Sequence, residues 1–162
     1  MHIQDKINEI TLKLFKWNYY DDSEYTDEVD DECRDIVEAT IEQFGWQDVW
    51  KSWYRYLIQN CKSPEEVCNF AHLFFGYGGT EYPIDNPYDF LGYIYYYLEL
   101  NSSKYEDEYN ALTIMDSITI DTLEKAGIKK DLWLDDDYVP EKDPLIIQSV
   151  EDWEKRIEGT SV

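Results

Sequence analysis

The sequence predicts an all-α protein, a single compact domain of about six or seven helices. Three observations lead there. Apolar residues recur at steps of three and four along most of the chain, the spacing of one helix face. Capping residues and glycines punctuate those runs at helix-length intervals. The chain has 162 residues, about one domain, and is 43% hydrophobic with six Trp, fifteen Tyr and six Phe, enough large side chains for a core.

The first helix is read from Ile3, Ile7, Ile10, Leu14 and Trp17, which form one stripe. The second spans about 24–45, with Val29, Cys33, Ile36, Val37, Ile41 and Phe44 inside and Gly45 as its stop. The third follows at once on Trp46, Trp50, Trp53 and Leu57, flanked by Val49 and Tyr54. Ser63-Pro64-Glu65-Glu66 is a capping box: the Ser63 side chain accepts from the backbone while Glu66 reaches back. It opens a fourth helix through Val67, Phe70, Ala71 and Phe74. Residues 76–87, rich in Gly, Pro and Asn, form a break that accommodates a loop or a short hairpin. Asn86 and Pro87 then start a fifth helix, with Leu91, Ile94 and Leu98 buried and tyrosines almost encircling it. A sixth runs about Asp107 to Ala126 and stops at Gly127. Residues 129–144 are an acidic surface loop. Leu145, Ile146 and Ile147 read as a short strand or a helix entry, and Ser149 as the cap of a last helix carrying Val150, Trp153 and Ile157.

Charge excludes several functions. With 36 acids against 14 bases the formal net charge is −22, so direct nucleic-acid binding and anionic membranes are disfavoured by repulsion. No apolar run approaches the roughly 18 residues of a spanning helix. The N-terminus lacks a basic start followed by an apolar block, which makes a cytoplasmic location the expectation. Three cysteines, Cys33, Cys61 and Cys68, cannot form a fully paired disulfide framework and read as small buried side chains.

Enzyme signatures are nearly absent, and the chain is expected to be non-catalytic, with no catalytic residue and no cofactor. His72 lies in an apolar helix and reads as a core or rim residue. The Gly76–Thr80 run lacks the Lys-Ser/Thr ending of a phosphate loop and is followed by Glu81 and Asp85. Among 36 acids some pair falls at glycosidase-like separation by chance, so the carboxylates nominate no catalytic pair. Asp135-Asp136-Asp137 and the Asp27–Glu32 cluster offer hard oxygen ligands but do not fit an EF-hand, and no built metal site is expected.

The acids fall in blocks. Asp21–Glu42 holds eleven acids and one base, Arg34, whereas Trp46–Lys62 holds one acid and three bases, and Asp131–Glu158 ten acids and three bases. A 22-residue helix over the first block would be about 33 Å long, roughly one net charge per 3.3 Å, against about one per 3.4 Å along a DNA strand. Within it Asp27, Asp31, Asp35, Glu38 and Glu42 step by four, four, three and four along one side, and Asp30 sits near the neighbouring stripe.

The favoured expectation is a non-catalytic acidic inhibitor that occupies a basic nucleic-acid-binding surface on a partner protein: a CRISPR effector, a restriction enzyme or a nuclease toxin. Carboxylates would replace phosphates opposite Arg and Lys. By composition alone the chain resembles DNA-mimic antirestriction and anti-CRISPR proteins. The partner-binding residues are expected to be Asp27, Asp30, Asp31, Asp35, Glu38 and Glu42, with Asp135, Asp136 and Asp137 from the second block and Tyr25 and Tyr138 as aromatic anchors. Tyr19, Tyr20, Tyr105 and Tyr109 are further aromatic candidates beside acids. Alternatives are an immunity protein neutralising a cognate toxin, a divalent-cation-binding protein and a plain helical scaffold.

Overall fold

The structure, a computed structural model, describes residues 2–17, 23–24, 26–75, 82–98, 118–128 and 139–159. Among them the chain is all-helical with no strand. The α-helices are α1 (Ile3–Leu14), α2 (Asp27–Phe44), α3 (Trp46–Asn60), α4 (Pro64–Phe75), α5 (Pro87–Leu98), α6 (described over 118–125) and α7 (Pro144–Gly159), with a 3-10 turn at Pro140–Lys142 before α7. They pack as two compact units, Met1–Tyr82 and Pro83–Val162.

In the first unit α1, α2 and α3 each pack against the other two, and α4 packs against α2. Ile7 and Leu14 of α1, Cys33 and Val37 of α2, and Val49, Trp53 and Leu57 of α3 are fully buried, as their helical spacing predicts. Phe15, one residue past α1, stacks on Tyr56 at 4.8 Å and on Phe70 at 5.0 Å, which ties α3 to α4 through aromatic faces. Two polar residues complete the core because their hydroxyls are satisfied, one within its own helix and one across to α1. Thr11 is buried and its hydroxyl donates to the Ile7 carbonyl at 2.7 Å; Ser52 is buried and its hydroxyl donates to Asn8 Oδ1 at 2.6 Å.

Ile3 departs from expectation. It stays 53% exposed, because it occupies the first turn of α1, beyond the reach of the buried stripe that runs Ile7, Thr11, Leu14. Trp46 and Trp50 are half-buried rather than core: they stack on each other at 5.8 Å, and Tyr82 stacks on Trp46 at 5.0 Å.

Caps fall where the sequence places most of them. Gly45 alone separates α2 from α3, at φ +84° and ψ 147°, a region that side-chain-bearing residues scarcely enter. At α4, Ser63 Oγ accepts from Glu66 N at 3.2 Å, and Glu66 Oε1 accepts from the Ser63 hydroxyl at 3.0 Å and from Lys62 N at 3.3 Å. Residues 76–81 lie outside the described residues; 82–86 is non-helical.

In the second unit α5 packs chiefly on α7. Gly92 allows a close approach: a Cβ there would run into the side chain and backbone of Ser149. Trp153 Nε1 donates to the Asp89 carbonyl at 2.7 Å, Arg156 pairs with the Asp89 carboxylate at 3.4 Å, and Tyr93 meets Trp153 edge-on at 5.0 Å. Buried Tyr95 shares a 2.8 Å hydroxyl bond with buried Thr119, which brings in α6. That helix ends in a Schellman motif, with Ile128 N bonding to Leu123 O, Gly127 N to Glu124 O, and Gly127 at φ +83°. The predicted start of this helix, 107–117, lies outside the described residues.

At the beginning of α7 the structure takes the helix-entry alternative for 145–147 and corrects the cap. Residues 145–147 are helical, and the cap is Asp143, whose Oδ1 accepts from Leu145 N at 3.0 Å. Ser149 lies within the helix against Gly92. Asp-Pro supplies a strong cap and a pre-set first helical residue, and this outweighs the apolar run that follows.

Candidate functional site

The acidic face of α2 is built on an ordinary helix. Thr26 caps it, its hydroxyl accepting from Val29 N at 3.3 Å. Cys33, Val37, Thr40 and Ile41 anchor the inner side, and Thr40 satisfies its hydroxyl on the Ile36 carbonyl at 2.6 Å. With that side fixed, Asp27, Asp31, Asp35, Glu38 and Glu42 all come out exposed. At 100° per residue they span an arc of about 80°. The one base of the helix, Arg34, lies about 20° outside that arc, one turn from both Asp31 and Glu38.

Asp30 behaves differently. It is half-exposed and pairs with Arg34 at 3.4 Å, so its charge is already answered within the helix. Two residues outside the predicted set join the face: Glu28 and Glu32, exposed on its flank. Their own step of four was the available signal. Asp135, Asp136, Asp137, Tyr25 and Tyr138 lie outside the described residues, as do Tyr19, Tyr20, Tyr105 and Tyr109.

Local helix physics accounts for only part of this charge. Asp27, Glu28 and Asp30 occupy the first turn, where the helix dipole and unpaired N–H groups favour anions. The last turn contains no base, and there Glu42 faces the negative end of the dipole. Like charges four apart, such as Asp27/Asp31 and Glu38/Glu42, each cost about 0.2–0.5 kcal/mol in an isolated helix. The C-terminal half of the stripe is therefore carried against local preference.

The helix of 18 residues is about 27 Å long, shorter than the 22-residue segment read from sequence. Between Asp27 and Glu42 it holds eight acids and one base, so the net charge recurs roughly every 3.2 Å, still close to the ~3.4 Å of a DNA strand.

Two groups that could do chemistry away from this face, His72 and Cys61, are buried. His72 is 5% exposed, and desolvation lowers its pKa to about 4. Burial, with the Glu66 carboxylate adding to it, pushes the Cys61 thiol up to about 12. Neither is presented to a substrate in a reactive state. Among the described residues no three His, Cys, Asp or Glu side chains converge as metal ligands, and no helix is long and apolar enough to cross a membrane. Compared with protein-family models, curated proteins and solved structures, the chain finds no match.

Proposed function

We propose that this chain is a non-catalytic inhibitor that binds the basic nucleic-acid-binding surface of a partner protein, its α2 carboxylates standing where phosphates would lie. The observation that carries this reading is the exposed series Asp27, Asp31, Asp35, Glu38 and Glu42, beside which the single base of the helix, Arg34, pairs with Asp30. Arg and Lys in a nucleic-acid channel pair with carboxylates through the same charge-assisted bonds they make to phosphate, bidentate in the case of Arg. The net charge of −22 would also steer encounter, most strongly at low salt. The partner class is a CRISPR effector, a restriction enzyme or a nuclease toxin, and the first two make the chain an anti-defence protein of the anti-CRISPR or antirestriction type.

The test begins with partner capture at low and high salt, comparing the wild-type chain with an Asp27→Lys/Asp31→Lys/Asp35→Lys/Glu38→Lys variant. The captured protein is then assayed on its nucleic acid. Wild type should inhibit it, more weakly as salt rises, and the variant should lose at least about tenfold in affinity, about 1.4 kcal/mol. Equal inhibition by both proteins would sink the reading. A partner that proves to be one dedicated toxin nuclease would instead make the chain its immunity protein.

A further inference from the structure

A cleft of about 140 Å³ opens between α1 and α3. No residue of α2 lines it, so it is separate from the acidic stripe. The part-buried Ser52–Asn8 hydrogen bond joins its two walls. Its mouth combines Leu12, which is 63% exposed, with Arg55, Gln59 and the half-buried ring of Tyr56. None of the lining residues is acidic, although the chain has 36 acids.

Arg55 is the telling member. The chain has three arginines. Arg34 pairs with Asp30 and Arg156 with Asp89, each at 3.4 Å. Arg55 is exposed at the cleft and has no carboxylate within pairing distance among the described residues. Lys51 lies one turn earlier on the same helix, also exposed. Two like charges at this spacing repel, and an anion seated beside them turns that repulsion into attraction. An exposed leucine, an aromatic ring and an unanswered guanidinium together make the mixed apolar and charged chemistry that interface anchors use.

We propose that this cleft is a docking site, distinct from the α2 stripe, for an aspartate or glutamate side chain carried beside an apolar residue on a polypeptide partner. The carboxylate pairs with Arg55, and the apolar neighbour lies against Leu12 and Tyr56. Nucleic acid is a poor occupant because the surrounding field of a chain with net charge −22 repels a polyanion, whereas a single carboxylate on a neutral or basic protein brings little charge of its own.

The experiment is a titration of the isotope-labelled full chain with the peptide acetyl-Leu-Glu-Leu-amide, followed by NMR at Arg55 Nε–H and the amides of Leu12 and Gln59. Saturable shifts confined to these sites are expected, at least about fivefold weaker with the Gln peptide. Arg55→Gln should abolish them, and Leu12→Ser should weaken binding while the Arg55 signal still responds. The charge-reversed α2 variant should bind the peptide as well as wild type does, which separates this site from the stripe. No response at the cleft, an equal response to the Gln peptide, or an unchanged response in Arg55→Gln would each overturn the proposal. So would inorganic phosphate that saturates Arg55 and that the peptide cannot displace, since the site would then be an oxyanion site rather than a peptide dock.

Discussion

Cys33, Cys61 and Cys68 are all buried, and a thiol reacts only as an exposed thiolate. With the Cys61 thiol pushed up to about 12 by burial and then by Glu66, a disulfide-exchange reagent at pH 8 should leave the native chain unlabelled and label all three thiols only in denaturant. Labelling of Cys61 on mixing would contradict the burial. His72 gives a pH signature of its own. In the folded chain burial lowers its pKa to about 4 from the ordinary 6.5. Above pH 6.5 both states hold it neutral and it contributes nothing to pH dependence. Below that, the unfolded chain takes up a proton that the folded chain refuses, so stability falls as pH drops toward 4. The loss attributable to His72 is about 1 kcal/mol by pH 5.5. Denaturant unfolding at pH 7 and pH 5.5 measures it, and the loss should disappear in His72→Phe. Identical pH dependence in the two proteins would show that His72 titrates normally in the folded chain.

Between elements, Gly92 is a position with no room for a side chain. Gly92→Ala places a methyl group against the Ser149 backbone, and such overpacking costs about 1–3 kcal/mol. Gly92→Ala combined with Ser149→Gly recovers little, because backbone atoms of α7 remain in the way; unfolding midpoints of the single and double variants check this. That approach also shows what local pattern conveys and what it hides. The Ser63–Glu66 capping box and the stops at Gly45 and Gly127 were legible because their bonds close within a few residues. Ser149 was misread as a cap because its role depends on α5, far away in sequence. At the start of α7, Leu145–Ile147 allow a strand or a helix entry by pattern alone, and the Asp143-Pro144 pair decides for the helix entry. Much of the α2 stripe was legible from steps of three and four. The Arg55 cleft was not, since it exists only where α1 meets α3, joined by a bond between Asn8 and Ser52, 44 residues apart.

Over the whole molecule the excess of acids opposes compaction, because the folded chain holds like charges closer than the unfolded chain does. Screening relieves this: the Debye length falls from about 30 Å at 0.01 M salt to about 8 Å at 0.15 M. The thermal transition should therefore rise by several degrees between 10 and 150 mM NaCl and change little beyond. The variant with Lys at positions 27, 31, 35 and 38 should show a smaller rise, since its net charge moves from −22 to −14. A transition insensitive to salt in this range would mean that the acids are already spaced beyond mutual reach.

The joint at Gly45 leaves one residue between α2 and α3. A protease needs several residues of extended, accessible chain to seat a substrate, and this connection has no such slack. The carboxylates of α2 are also held on a helix whose inner side is locked by Cys33, Val37 and Ile41, so docking against a rigid partner would freeze few backbone torsions. Association should then follow a single fast phase without a slower refolding step, and digestion of the native chain should leave α2 and α3 on one fragment.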